Sequence, residues 1–262
     1  MVYNFNIRNN FNSLLEFIRF ELCVFASFIG MTGYLLFNPL SLNLIFVALS
    51  SFFVCAGAYA YNNITDRKED LINRKRVNFF SLNNKSLLIV ISCFLLGIFF
   101  SLLLSPLSVF FCMLFITVGV FYSFFRIKQY LLIKNLYTGF GITVVFLIGI
   151  ISFSSELFWY YFLISVFFFT GSLISDLRDC EGDESVDIKT LPVLEYNLTR
   201  KIIYFLLITL SVLVLGLNLY NLFPMLVFIP IILFFLIKNK PVIAHLSGGI
   251  SIIFLVAWLM IV

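Results

Sequence analysis

Apolar and polar positions fall in long blocks along this chain. Nine apolar runs stand out, at about residues 16–37, 43–61, 86–104, 107–125, 132–153, 157–175, 202–219, 222–237 and 242–262. A bilayer core about 30 Å thick takes roughly 20 residues of α-helix, slightly fewer where flanking side chains snorkel. Each run is close to that length. The separators carry turn chemistry: Asn38-Pro39-Leu40, Ser105-Pro106, Ser154-Ser155-Glu156, Asn221 to Pro224, and Lys238 to Pro241. The pattern predicts an all-α polytopic membrane protein of nine transmembrane helices, one domain over 1–262, with a kink at Pro230 in the eighth.

Composition fixes the solvent. Of 262 residues, 62% are hydrophobic and 11% charged, with 35 Phe; an ordinary soluble domain has about 25% charged residues. A chain this size cannot hide so much apolar surface from water. A soluble globule, a disordered chain and a disulfide-stapled module are therefore excluded. Cys23, Cys55, Cys93 and Cys112 fall within runs and Cys180 beyond the sixth, with no CxxC pair to suggest a metal or disulfide framework. His245 stands alone, without a ligand-spaced companion, and reads as an ordinary helix residue. The polar opening MVYNFNIRNNFN lacks the pattern of a cleavable signal peptide and is expected to form a short surface helix leading into the first run.

The net charge of +4 says little; the placement of the charges says more. With nine spans, all 17 Lys and Arg fall on the N-terminal face, and Glu156 is the one charge left on the other. By the positive-inside rule the crowded face is cytoplasmic, N-terminus included. A miscounted span would scramble this segregation.

Most carboxylates gather in two segments of that face. In the first, leaving run two, Asn62, Asp66 and Asp70 are spaced i, i+4, i+8 and share one face of a helix. In the second, leaving run six, Asp176, Asp179, Asp183 and Asp187 repeat at i, i+3, i+7, i+11. Like charges so spaced repel unless a cation bridges them. Oxygen-rich clusters without Cys or His suit a hard cation such as Mg²⁺, which typically binds through a few carboxylates plus substrate phosphates. The interleaved Arg67, Lys68, Arg178 and Lys189 are suited to the remaining phosphate oxygens. The bland alternative, two solvated loops, gives no reason for Asp to repeat twice at helical spacing.

These motifs resemble those of the UbiA superfamily of intramembrane prenyltransferases. That family has an NDxxDxxxD motif after helix 2 and a DxxxD motif, often DxxDxEGD, after helix 6. The first is matched by Asn62-Asn63-x-x-Asp66-x-x-x-Asp70, the second by Asp176-x-x-Asp179-x-Glu181-Gly182-Asp183 with Lys189-Thr190-Leu191-Pro192 following. Tyr122-Ser123, Lys128, Asn135 and Gly139 between runs four and five are also similar. The chain departs at Asn63, where the family has Asp, at Asp187, where Gly is common, at Arg19-Phe20-Glu21-Leu22, and at Asn73-Arg74-Lys75-Arg76. Its compact length and short loops are most similar to archaeal members.

The resemblance implies nine helices around a central cavity and Mg²⁺-dependent transfer of a polyprenyl group from its diphosphate to a lipophilic acceptor. That acceptor is a glycerol-phosphate lipid or an aromatic ring. Asn62, Asp66, Asp70, Asp176, Asp179 and Asp183 are implied as metal ligands, with Asp66, Asp70, Asp179 and Asp183 the catalytic core of the set. Asn62, Arg67, Tyr122, Lys128 and Lys189 are the implied substrate-binding residues. Expected partners are the prenyl diphosphate, the acceptor and membrane lipid, and no nucleic acid. Three alternatives rank lower. A transporter would carry ionisable residues in mid-span, where they are nearly absent here. A CDP-alcohol phosphotransferase would carry a DGxxAR-like run, and the sequence has none. A degenerate isoprenoid binder is suggested by Asn63 alone.

Overall fold

The computed structural model of the chain describes residues 7–72, 78–82, 86–127, 130–185 and 189–262, and regular structure among them is helical throughout. In order these are α1 (Ile7–Ile18), α2 (Phe20–Leu35), α3 (Asn43–Ile72), α4 (Phe79–Leu82), α5 (Ser86–Leu102), α6 (Pro106–Phe124), α7 (Ile133–Leu136), α8 (Ile142–Ile148), α9 (Leu157–Ser185), α10 (Leu191–Gly216), α11 (Phe223–Ile237) and α12 (Pro241–Leu259). Among the described residues, six helical stretches are long and apolar enough to cross a membrane: Asn43–Arg67, Pro106–Phe124, Leu157–Ser185, Leu191–Gly216, Tyr220–Ile237 and Pro241–Leu259. Three shorter apolar helices, Phe20–Leu35, Ser86–Leu102 and Ile133–Ile148, coincide with the other three runs.

The described part of the polar opening, residues 7–12, is helical and belongs to α1. α1 sets Leu14, Phe17 and Ile18 against Ala60, Val90 and Phe80, while Asn12 and Glu16 stay exposed. The first run is not continuous, because it breaks at Arg19, which adopts the left-handed conformation (φ 52°, ψ 59°) that L-residues rarely visit. Two carbonyls at the end of α1 find side-chain donors: the Cys23 thiol reaches Ile18 O at 3.0 Å and Asn63 Nδ2 donates to Phe17 O at 2.6 Å. The break is thus held by tertiary contacts, which apolar periodicity does not reveal.

The fifth run is interrupted as well. After α7 the backbone widens into a π-turn over Tyr137–Gly141 before α8 resumes, a feature common at functional sites. Gly139 permits a close approach there, since a Cβ on it would lie 2.6 Å from Phe169 Cβ. Pro230 sits inside α11, and in α10 a non-helical residue, Glu195 (φ −148°, ψ 77°), interrupts the helix.

Small residues bring the helices together, as expected where lipid removes the usual hydrophobic drive between spans. A Cβ on Gly33 of α2 would lie 1.9 Å from the Phe146 carbonyl of α8, and one on Gly149 would lie 2.3 Å from Gly30 O. Between α3 and α5, Ser50 Oγ donates to Gly97 O at 2.9 Å. Large apolar side chains such as Leu95, Phe110 and Phe205 remain on the outside, where lipid would cover them. Both acidic motifs ride on helical extensions: α3 runs on past Asp66 and Asp70, and α9 past Asp176, Asp179 and Asp183.

Candidate functional site

A cavity of about 590 Å³ opens between α3, α6, the α1–α2 joint and the π-turn. α3 contributes Cys55, Ala58, Tyr59, Asn62, Asn63 and Asp66, and α6 contributes Phe115, Gly119, Tyr122 and Ser123. Both sets follow helical spacing, so each helix offers one face to the space. Arg19 and Leu22 close it from the joint, and Tyr137, Thr138, Gly141 and Ile142 from the π-turn. The lining is polar around Asn62 and Asp66 and apolar or aromatic around Cys55 and Phe115.

At the polar end Asn62 is a bridge. Its Nδ2 donates to Asp66 Oδ2 at 2.9 Å, while its Oδ1 accepts from Ser123 Oγ on α6 at 3.1 Å. The Arg19 guanidinium lies over the Tyr59 ring, 5.4 Å from its centroid, a favourable cation–π arrangement. Tyr122 and Tyr137 stack at 4.3 Å between centroids, and the Tyr137 hydroxyl donates to Val118 O. Three tyrosine rings therefore face one cavity.

The second motif is packed differently. Asp176 is only 6% exposed. Its Oδ1 lies 2.7 Å from Lys134 Nζ, and its Oδ2 accepts from Asn135 Nδ2 at 2.9 Å. Asn135 also reaches Ser172 Oγ at 3.1 Å. One step along α9, Arg178 clasps both oxygens of Asp179, each contact 2.7 Å. These groups lie past Ser175, where the apolar stretch of α9 ends. The Arg178 hydrogen bond holds the Asp179 carboxyl below its usual range, whereas partial burial and then the charges of Asp176 and Asp179 push Asp183 up. Tyr122 lies within electrostatic reach of both Asp66 and Asp176.

Of the residues singled out by sequence, Asn62, Asp66 and Tyr122 share the cavity. Arg67 turns to the Ser81 carbonyl, at 3.5 Å, and Lys189 is exposed beside buried Thr190. Asp70 is carried by α3, but its side chain, like Lys128 and Asp187, lies outside the described residues. Among the described residues no three His, Cys, Asp or Glu side chains converge as a metal-binding group. The donors around Asn62 and Asp66 are nonetheless carboxylate and amide oxygens, the set a hard divalent cation prefers. Sequence reasoning missed Arg19, Tyr59, Lys134 and Tyr137 as site residues. Lys134 had left a signal, as a charge at the head of an apolar run. His245, read as isolated, sits on α12 within electrostatic reach of Arg178 and Asp179.

The model of the UbiA prenyltransferase family matches residues 22–245. The chain belongs to that family. No curated protein sequence matches it. Among solved structures, one concerned with digeranylgeranylglyceryl phosphate synthase in membranes aligns with 97% of this chain and 98% of its own, at 21% identity and a TM-score of 0.73. A UbiA homologue from Aeropyrum pernix K1 aligns over 92% and 98%, at 16% identity and TM-score 0.74. A UbiA homologue from Archaeoglobus fulgidus, bound to DMAPP and Mg²⁺, aligns over 95% and 99%, at 15% identity and TM-score 0.71. At these identities the likeness establishes a shared UbiA fold. The chain is a UbiA-type intramembrane prenyltransferase by family.

Proposed function

We propose that this UbiA-family chain transfers a polyprenyl group from its diphosphate to a lipophilic acceptor inside the membrane, either a glycerol-phosphate lipid or an aromatic ring. One observation carries the reading: a single cavity joins an oxygen-rich end at Asn62 and Asp66 to an apolar and aromatic end at Cys55, Phe115 and Tyr59. An amphiphile with an anionic head and a hydrocarbon tail matches that polarity. The Mg²⁺- and DMAPP-bound structure of the Archaeoglobus homologue supports the same choice of donor.

Ligand oxygens for a divalent cation come from the two motifs, Asn62, Asp66 and Asp70 on one side and Asp176, Asp179 and Asp183 on the other. Such a cation neutralises charge building on the departing diphosphate. The allylic C–O bond breaks and its electron pair leaves with the diphosphate. The acceptor nucleophile then bonds to that carbon and gives up its proton. Around the carbon, Tyr59, Tyr122 and Tyr137 exclude water and present ring faces to developing positive charge. Arg19, Lys128 and Lys189 are candidates to hold anionic oxygens of the substrates. Counted as crossings, the three shorter apolar helices would bring the total to nine, and with that count the segregation of Lys and Arg supports a cytoplasmic face for the motifs and the N-terminus.

The test is to incubate membranes containing the protein with geranylgeranyl diphosphate, Mg²⁺ and a panel of glycerol-phosphate and aromatic acceptors. Products are identified by mass and pyrophosphate is measured. A prenylated product that disappears in Asp66→Ala supports the reading. Donor binding without pyrophosphate release would make the chain a catalytically silent binder and overturn it.

A further inference from the structure

We propose that the corner where α10 meets the α11–α12 turn binds the phosphate headgroup of an anionic membrane phospholipid, at a site separate from the cavity. The turn between α11 and α12 is Lys238-Asn239-Lys240. Asn239 takes the left-handed conformation (φ 57°), and the chain doubles back so that Asn239 N donates to Leu236 O at 3.1 Å and Lys240 N to Phe235 O at 2.8 Å. This pair of bonds closes a helix C-terminus tightly, and it fixes both lysines at one end of α11. Arg200 of α10 arrives at the same place. Its Nη2 donates to Leu236 O at 3.1 Å and to the Tyr204 hydroxyl at 2.8 Å, and its Nε reaches that hydroxyl at 3.2 Å. In the second turn of α12, His245 lies within electrostatic reach of Arg178 and Asp179, so the corner stands at the end of the bundle that carries the second motif.

Helix capping alone does not account for these cations. The carbonyls of Phe234, Phe235 and Leu236 already accept from backbone N–H groups of the turn, so the lysine side chains are not needed as caps. A helix C-terminus carries about half a negative charge, against Arg200, Lys238 and Lys240, with Lys201 next along α10. None of the four forms an ion pair among the described residues, and Arg200 Nη1 makes no hydrogen bond there. Glu195, the nearest acid along α10, sits at that helix's non-helical break. Segregation of positive charge explains which end of the bundle these residues occupy. It does not explain why two that are 36 positions apart, Arg200 and Leu236, join in one basic corner. The charge also borders apolar surface. Phe234, whose ring centroid lies 5.9 Å from the Lys238 ammonium, is exposed, as are Ile237, Val242 and Ile243. Cations beside exposed apolar side chains match a phosphate with acyl chains attached, and basic clusters at helix ends attract anionic headgroups. A free phosphate would use the cations and leave the apolar flank without a partner. None of these residues lines the cavity, so the inference stands apart from the prenyl-transfer reading.

The test uses the full protein in a neutral detergent, titrated with dioleoylphosphatidylglycerol or dioleoylphosphatidylcholine, with bound lipid counted per chain by native mass spectrometry. A single basic residue at a headgroup contributes roughly fivefold in affinity. Lys238→Gln and Lys240→Gln are each expected to weaken the first phosphatidylglycerol about fivefold, and together about 25-fold, with phosphatidylcholine binding unchanged. Lys238→Arg with Lys240→Arg, which keeps both charges, is expected to stay near wild type. The wild type is expected to prefer phosphatidylglycerol by at least ~25-fold, and inorganic phosphate should weaken that binding no more than sodium chloride of equal ionic strength. Equal affinity for the two lipids in the wild type would overturn the inference. So would unchanged phosphatidylglycerol binding in the double glutamine substitution, or displacement by inorganic phosphate beyond the ionic-strength control. If the double glutamine substitution does not fold, the single substitutions, the arginine pair and the wild-type comparisons decide the matter.

Discussion

The two aspartate motifs look alike as sequence and differ as environments. On α3, Asp66 lines a cavity and accepts a hydrogen bond from a neutral amide, Asn62, which is tied in turn to Ser123. On α9, Asp176 is buried against the ammonium of Lys134 and the amide of Asn135, and Asp179 is chelated by Arg178. Helical spacing puts carboxylates on one face in both cases; the neighbours decide what they can do there. A carboxylate lining a cavity is open to a solute, whereas a buried one paired with a lysine is tied into the packing. The first motif therefore faces the cavity, and the second combines carboxylates with built-in positive charge.

The largest effect expected from this contrast is at Asp66. Asp66→Ala removes a carboxylate facing the substrate space, and losing one such electrostatic group typically costs ~100-fold or more in rate, about 2.7 kcal/mol or above. Product formation from geranylgeranyl diphosphate should fall by at least that factor, while membrane insertion and thermal midpoint stay near wild type. Wild-type turnover would remove Asp66 from the reaction.

Asp176→Ala should lower stability as well as turnover. It strands the Lys134 ammonium and the Asn135 amide, and a partly buried donor left unmatched costs roughly 1–3 kcal/mol. Thermal unfolding in detergent should show a clear drop, larger than that of Asp66→Ala. Equal midpoints for the two variants would erase the distinction between the motifs.

A third change probes the residue where the first motif departs from its family. Asn63 Nδ2 donates to Phe17 O at 2.6 Å, across 46 residues of sequence. Asn63→Asp replaces that donor with a carboxylate facing a carbonyl, at an expected cost of about 1–2 kcal/mol. It should also loosen the joint that aims Arg19 over Tyr59. Increased proteolysis between α1 and α2, together with a lower midpoint, is the expected result. An unchanged midpoint would show that the contact contributes nothing.

Much of this was legible in the sequence, and what was not has a common cause. Apolar run length and the i, i+4 spacing of Asn62 and Asp66 are local properties, so they carried over directly onto α3 and α9. The left-handed break at Arg19 and the π-turn at Tyr137–Gly141 were hidden inside apolar runs. They depend on contacts from distant chain, such as Asn63 to Phe17 and the close passage of Phe169 by Gly139. Lys134 was visible as a charge but not as a partner, because Asp176 lies 42 residues away. Tyr59 and Tyr137 were lost in a chain that is 19% aromatic, where ring identity alone says nothing about which rings face a cavity.

The smallest expected effect completes the contrast within the second motif itself. Arg178 and Asp179 form a close, two-pronged pair with contacts of 2.7 Å, better geometry on paper than the single contact of Lys134 with Asp176. Their side chains are 34% and 49% exposed, against 28% and 8% for Lys134 and Asp176. Water and salt screen the outer pair, so Arg178→Ala should lower stability by less than ~1 kcal/mol, and added salt should shrink even that. The measurement is the thermal midpoint of Arg178→Ala against wild type at low and high ionic strength. A drop as large as that of Asp176→Ala, insensitive to salt, would mean that the outer pair and not the buried one organises this end of α9.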